Sequence, residues 1–296
     1  MKTVVVLSGK GGTGKTSVTA ALGVVAGGRA VTVDCDVDAS NLHLLYEPRH
    51  SEEHEFWSGS KAIINAAACA SCGICAEKCR FDAIVETSGG ERGDAGFTVD
   101  RLSCEGCALC YHLCPSSAIE MEDTKAGDWY VSRNRFGHWF VHARLGIGSD
   151  NSGKLVAEVK GAAASLARRE DIPFVIADGP PGIGCPAIAS MSETDHVLIV
   201  TEATQTARHD MVRLVELARR FDKPASCVIN KCDLSEDASR DIEQFCQTQG
   251  IDVIGRLPFS LAFHDALERG LTLMESDDQA IASSMVEIWE HLERTA

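Results

Sequence analysis

Two groups of residues in this chain have types and spacings that could do chemistry. Eight of the 13 cysteines fall in two runs, Cys69-x2-Cys72-x2-Cys75-x3-Cys79 and Cys104-x2-Cys107-x2-Cys110-x3-Cys114. Each cysteine of the first run lies 35 residues before its counterpart in the second, and Ile64/Val99, Ala83/Ala118 and Ile84/Ile119 keep the same offset, so the segment is an internal repeat. Thiolates are soft ligands, and four of them are what one iron–sulfur cube requires. Structural zinc more often takes CxxC pairs separated by a longer loop, a different layout. The second group is Gly9-Lys10-Gly11-Gly12-Thr13-Gly14-Lys15-Thr16, which satisfies G-x4-G-K-[ST] between a β-branched run and an alanine-rich stretch. Its glycines let backbone N–H groups turn inward around phosphate oxygens, and a following helix N-terminus adds partial positive charge. Lys15 is placed to reach the outer phosphates, the Thr16 hydroxyl to bind Mg2+, and residues Gly9 to Ser17 to form the cradle.

The composition narrows the setting of that chemistry. At 296 residues, one or two domains are expected. Forty-three acidic against 28 basic residues give a net charge of −15, which repels nucleic-acid phosphates and anionic lipid. No run approaches the roughly 20 apolar residues of a membrane span, and the start lacks the layout of a signal peptide. The closing stretch 281–294 carries Glu287, Glu290 and Glu293, unlike a basic membrane-surface helix. A cytoplasmic chain with no nucleic-acid partner and no membrane anchor is expected, and in a reducing compartment its cysteines are not disulfides.

The elements that must hold both groups follow from local pattern. Thr3–Ser8 reads as a buried parallel strand, Thr16–Ala26 as a helix, and Ala30–Val33 as a second strand ending in the acidic turn Asp34-Cys35-Asp36-Val37-Asp38. Ser51–Ser60 is polar and reads as a linker; Asp128–Ser132 and His138–Ala143 alternate as strands. Beyond them, helices are expected over 154–169, 210–220, 236–249 and 279–293, and strands over 174–177, 197–201, 226–230 and 253–255. Alternating strands and helices predict a mostly parallel α/β sheet covered by helices on both faces. The cysteine repeat interrupts it after the second strand. The expected division is 1–50 with 139–296 for the sheet domain, 61–122 for a small inserted α+β domain, and 51–60 and 123–138 as connecting segments.

Lys10 is a second lysine early in the glycine loop, and GKGGTGKT resembles the deviant P-loop of the family that holds MinD, ParA, the Mrp-type cluster carriers and nitrogenase iron protein. The resemblance extends over 1–46 and 139–296. It implies a P-loop ATPase that binds ATP or ADP with Mg2+ at a dimer interface, which Lys10 crosses to the partner's phosphates. The partner is a second copy or a paralogous ATPase. Asp34-x-Asp36, followed by Asn41-Leu42, matches the family's acidic turn; by resemblance Asp36 orients the attacking water and Asp34 lies near the Mg2+ shell. Turn capping is the plainer reading of both. Asp178-Gly-Pro-Pro-Gly182 resembles the second switch, with Asp178 on Mg2+ through water and Gly182 near the terminal phosphate. Asn230-Lys231-Cys232-Asp233 looks like the base loop, placing Asn230 and Asp233 at the adenine with Pro258 and Phe259 flanking it. NKxD alone suggests guanine, but the family pattern favours ATP.

The cysteine runs resemble bacterial ferredoxins, in which the fourth cysteine of each run ligates the other cluster. That implies one [4Fe–4S] cluster on Cys69, Cys72, Cys75 and Cys114, and a second on Cys79, Cys104, Cys107 and Cys110. Pro115 follows Cys114 as in the pattern, whereas Arg80 follows Cys79. Cys185 stands where nitrogenase iron protein carries a cluster ligand, but no cysteine lies near Asp150 for the second, so a four-cysteine bridge lacks ligands. Cys35, Cys227, Cys232 and Cys246 read as buried or loop thiols. The function expected is an ATP-hydrolysing iron–sulfur protein that couples a nucleotide-dependent dimer cycle to two clusters, in electron transfer with an unidentified redox partner. A redox-sensing spatial organiser or assembly factor and a cluster scaffold or carrier are the alternatives.

Overall fold

The structure is a computed structural model that describes residues 1–87, 96–146 and 152–296. They group into two compact units, 1–54 with 128–144 and 152–296, and 55–127 with 145–146. In chain order the strands are β1 (Lys2–Ser8), β2 (Ala30–Asp34), β3 (Arg49–Ile64), β4 (Ile84–Thr87), β5 (Gly96–Val99), β6 (Ile119–Arg133), β7 (Trp139–Leu145), β8 (Phe174–Pro181), β9 (His196–Glu202), β10 (Ala225–Asn230) and β11 (Asp252–Leu257). The helices are α1 (Lys15–Ala26), α2 (Leu42–Tyr46), α3 (Ile74–Lys78), α4 (Leu109–Leu113), α5 (Ser152–Arg169), α6 (Cys185–Met191), α7 (Gln205–Arg220), α8 (Glu236–Gln249), α9 (Leu261–Glu268) and α10 (Gln279–Thr295).

The larger unit is built on strands of order β11-β10-β9-β1-β8-β2-β7, in which every pairing is parallel. Strands buried on both faces are written as unbroken apolar runs, here Val-Val-Val-Leu in β1 and Val-Leu-Ile-Val in β9. Val4 and Val6 with Ile176, Leu198 and Val228 pack against Val18 and Leu22 of α1 and Met285, Ile288 and Trp289 of α10. Successive side chains alternate across a strand, so Val5 and Leu7 face the other way. On that side α5 lies on β2 and β8, α6 on β8, and α7 on β9. The result is the expected mostly parallel α/β sheet with helices on both faces. Its parallel strands end in register: Asp34 pairs with Asp178, Glu202 with Asn230, and Asn230 with Leu257. One edge of the sheet therefore collects the C-terminal ends of the strands, where ligands of open α/β sheets bind.

In the smaller unit, the sequence repeat is also a backbone repeat. The left-handed residues Ser71, Gly73 and Asp82 recur 35 positions on as Gly106, Ala108 and Ser117. α3 packs on α4, and β4 pairs antiparallel with β5. Gly106 is needed for space as well as for its φ of 63°, because a Cβ there would lie 2.1 Å from the Ser60 carbonyl oxygen.

Several expectations about elements change. The stretch 51–60 is part of β3, not a linker, and 123–133 belongs to β6. Polar residues mislead there because an antiparallel or edge strand can leave a face in water; in β6 Ile119 is buried while Glu120, Glu122 and Asp123 are exposed. α7 starts five residues before the expected 210, capped by the Thr204 hydroxyl on the Ala207 N–H. α2, α6 and α9 are short helices that periodicity does not reveal, since they span five, seven and eight residues. The position near Asp150 lies outside the described residues.

Candidate functional site

The glycine loop leaves β1 at the sheet's C-terminal edge and enters α1 through Gly14, whose φ is 91°. A Cβ on Gly14 would lie 2.4 Å from Asn230 Nδ2, so the last glycine gives both the turn and room for the β10 end. Asn230 Nδ2 donates to the Thr13 carbonyl at 2.8 Å, and Lys231 Nζ donates to the Gly12 carbonyl at 3.0 Å. The loop is thus braced from β10 at two successive carbonyls.

Beneath the loop, the Asp178 carboxylate at the end of β8 accepts three side chains of α1. Lys15 Nζ and Thr19 Oγ1 each reach Oδ1 at 2.8 Å, and Thr16 Oγ1 reaches Oδ2 at 2.8 Å. Lys15 and Asp178 are buried, so this is an ion pair removed from water. Burial pushes the Lys15 ammonium down, but Asp178, Asp36 and Asp34 together outweigh it and hold its pKa above the usual value. Asp34, fully buried on the neighbouring strand, accepts from Asp36 N at 3.0 Å, Ser40 Oγ at 2.7 Å and Leu42 N at 3.2 Å. Burial, reinforced by the Asp178 charge, pushes Asp34 up to about 7. Asp36 is also raised, by burial first, with Lys15 opposing.

A cavity of about 850 Å3 opens over the loop. It brings together Gly11 to Ser17, Asp36, Asn230 and Pro258 of the expected residues, with Phe259 and, from α9, Phe263. The Thr13 hydroxyl is buried on its wall without a hydrogen-bond partner. Gly9, Lys10, Asp34 and Asp178 sit off the wall. So do Gly182, whose N–H donates to the Ser8 carbonyl at 2.9 Å, and Asp233, whose Oδ1 accepts the Phe259 N–H at 2.5 Å. Asp233 is occupied as a brace for the loop after β11, and Asn230 as a brace for the P-loop.

Lys10 turns back onto its own chain. Its Nζ lies 2.6 Å from Glu202 Oε1, while Lys231 Nζ lies 2.9 Å from Glu202 Oε2. Burial alone would raise Glu202; the two lysines outweigh it and hold the carboxyl below the usual range. Glu202, Lys231 as a brace, and Thr19 were not legible beforehand, because each acts through a contact between chain segments far apart in sequence.

In the smaller unit the cysteines separate into two sets. Cys69, Cys72, Cys75 and Cys114 line one hollow with Ile64, Phe97 and Pro115. Cys79, Cys104, Cys107 and Cys110 line another with Phe81, Val99 and Met121. Cys114 Sγ accepts the Ala118 N–H at 3.2 Å, and a hydrogen bond with Ser116 lowers its pKa; burial raises Cys75 and Cys110. Lys61 Nζ donates to the Cys104 carbonyl. Among the described residues no three His, Cys, Asp or Glu side chains converge closely enough for a single metal ion. Cys185 is exposed at the start of α6 in the larger unit, where Cys35, Cys227, Cys232 and Cys246 are buried.

A parallel α/β sheet with a phosphate-binding loop after its first strand and acidic residues ending its neighbours defines a P-loop nucleotide-binding protein. The CobQ/CobB/MinD/ParA nucleotide binding domain family matches residues 4–273, and the chain belongs to that family. It is similar to an uncharacterised protein of Methanocaldococcus jannaschii, 28% identical over 291 residues, which are 98% of this chain and 95% of that one. It is also similar to the iron-sulfur cluster carrier protein of Pyrococcus horikoshii, 25% identical over 133 residues, 40% of this chain and 44% of that protein. A third relative is the pyruvate synthase subunit PorD of M. jannaschii, 31% identical over 78 residues, 26% of this chain and 85% of that subunit. The fold is that of the cell division ATPase MinD of Pyrococcus furiosus, with a TM-score of 0.59, 17% identity, and coverage of 100% and 99%. No helix among the described residues is long and apolar enough to cross a membrane.

The buried Lys15–Asp178 pair yields a direct test of what holds the loop. Asp178→Ala strands a buried ammonium and is expected to cost about 3–5 kcal/mol in urea unfolding of the nucleotide-free chain. Adding Lys15→Met should recover a large part of that loss, and additive losses would contradict the pairing.

Proposed function

We propose that this protein is a Mg2+-dependent ATPase carrying two [4Fe–4S] clusters, which uses its nucleotide cycle to govern electron transfer to or from a partner protein. The observation that carries the reading is the presence, on one chain, of a P-loop site and two separate four-cysteine hollows.

The residues fit both groups. For the nucleotide, Lys15 and Thr16 are held by Asp178 at the mouth of the phosphate cradle, and the unpartnered Thr13 hydroxyl is a buried group without a ligand. Lys15 would hold the outer phosphates, and Thr16 with Asp178 and Asp34 would hold Mg2+, which neutralises phosphate charge when bound. Asp36, on the cavity wall, would orient water for the attack. Asp233 Oδ1 accepts the Phe259 N–H, which fixes the loop that carries Pro258 and Phe259 at the cavity wall. Phe259 and Pro258 then bound the base by shape. Lys10 must leave Glu202 before it can reach phosphates on a second subunit, so the dimer forms at the expense of an internal ion pair.

For the clusters, the described part of the smaller unit has a slight core. Ala62, Ala83, Cys104 and Ile119 form its one buried cluster, against which four further cysteines and the side chains of Ile64, Val99 and Met121 pack only partly buried. Domains this small usually need disulfides or metal to stay folded, and four thiols around a hollow supply ligands for a cube. Ligation from both runs at each hollow favours resident clusters, whose role is electron transfer, over cargo for delivery. The carrier reading draws on the likeness to the Pyrococcus protein.

Anaerobically isolated protein is expected to hold about eight irons per chain, and stripping them should unfold the cysteine unit. Stoichiometric zinc, or about four irons, would refute the two-cluster assignment. Iron that passes readily to an apo-acceptor would favour the carrier reading.

The two lysines should separate in titrations with ATP. Lys15→Ala loses a fixed cation on the phosphates and should weaken binding by roughly 10- to 100-fold. Lys10→Ala should bind ATP within about threefold of wild type yet fail to dimerise or turn over. ATP-dependent dimers of Lys10→Ala, detected by sedimentation, would contradict the shared-site reading.

A further inference from the structure

α6 has seven residues and directly follows the 178–184 loop, and so short a helix needs tertiary anchors to persist. Its two ends are held very differently. At the C-terminal end, Lys160 of α5, itself buried, donates from Nζ to the Ser190 carbonyl at 2.6 Å, to Thr194 Oγ1 at 2.7 Å and to the Ser192 carbonyl. Those carbonyls are among the ones a helix end leaves unpartnered. Burial pushes Lys160 down to about 8, with Cys35, Glu193 and Asp195 opposing. Ser190 also lies close over β8: a Cβ on Gly179 would come within 3.2 Å of its hydroxyl oxygen. Among the described residues, the N-terminal end has no side-chain cap at Gly184. Around Gly153 of α5, Cys185 makes contact at van der Waals distance, about 3.7 Å from a Cβ built there. Gly182, with φ of 83° and open space around it, donates its N–H to Ser8 rather than to the cavity.

We propose that Lys160 is a positioning residue that pins the C-terminal end of α6 to α5, so that the 182–184 loop can meet a terminal phosphate by swinging α6 about that fixed end. The inference rests on the ATPase reading. Gly182 must release Ser8 to offer its N–H to a phosphate, and a helix fixed at one end converts that release into a defined rotation. A helix free at both ends would let the loop wander, leaving the N–H without a set position when the terminal phosphate arrives.

The test measures affinity for ADP and for a non-hydrolysable ATP analogue, with turnover, in wild type, Lys160→Met and Lys160→Arg. Lys160→Met is expected to bind ADP within about threefold of wild type while its relative affinity for the triphosphate falls about tenfold and kcat falls with it. Lys160→Arg, which keeps charge and donors, should recover most of both. A merely structural lysine would lower the melting temperature and weaken the two nucleotides alike. Unchanged triphosphate preference in folded Lys160→Met overturns the proposal. Should that variant not fold, Thr194→Val removes one acceptor and is expected to lower the preference about threefold, with no change again overturning it. Wild type that binds neither nucleotide would instead refute the ATPase reading.

Discussion

The Asp178 carboxylate is the point on which the nucleotide end of this chain depends. It closes β8 in register with Asp34 of β2 and takes Lys15, Thr16 and Thr19 from the first turns of α1. The backbone carbonyl of the same residue accepts the Cys35 N–H at 2.8 Å. Loop, helix and two strands thus meet at one buried charge. A charge in that setting is stable only while it is paired, so Lys15 stays drawn to the loop floor until a stronger anion competes for it. Phosphates arriving over the loop would share Lys15 with Asp178 and expose the carboxylate and Thr16 to a divalent cation. Binding and rearrangement are then the same event.

Glu202 acts in a similar way one strand further along. By holding Lys10 and Lys231 together it sets the loop's outer side and keeps Lys10 within its own chain. Glu202 is buried while the two lysines are about a third exposed, so phosphates reach the lysines from the open side. In the cysteine unit the balance is reversed: little apolar surface is buried, and the two cysteine sets lie where a core would be. Its repeat is written in backbone as well as in thiols, since Gly106, Ala108 and Ser117 turn the chain as Ser71, Gly73 and Asp82 do.

What could be read beforehand was what is local. The glycine loop, the cysteine spacing and the long apolar strands each announce themselves within a dozen residues. Asp34 and Asn230 stand out in the sequence because each ends such a strand, and Asp36 because it follows Asp34 by two residues. The reading failed where structure depends on distant partners. β3 looks like a linker because its residues are polar, and its strand character comes from pairing in the sheet. Glu202, Thr19 and Lys160 carry no motif; only the folded chain puts Lys160 against the end of α6 or Glu202 between two lysines. Asp233, inside a motif, also accepts the backbone N–H of Phe259 in another loop, a contact that the motif does not announce.

The proposed function joins nucleotide and clusters in one cycle. The acidic turn after β2 runs through α2 directly into β3, an ordered strand that carries the chain into the cysteine repeat. Coupling of two binding equilibria is reciprocal, and a typical value of about 1–3 kcal/mol corresponds, for one electron, to roughly 40–130 mV. The direct measurement is an anaerobic redox titration of the clusters, followed by EPR, without nucleotide, with ADP and with a non-hydrolysable ATP analogue. The account predicts a midpoint that moves by that order between ADP and the analogue, together with an ATP affinity that changes by the same free energy on reduction. Identical midpoints in all three conditions, with ATP affinity indifferent to reduction, would contradict it.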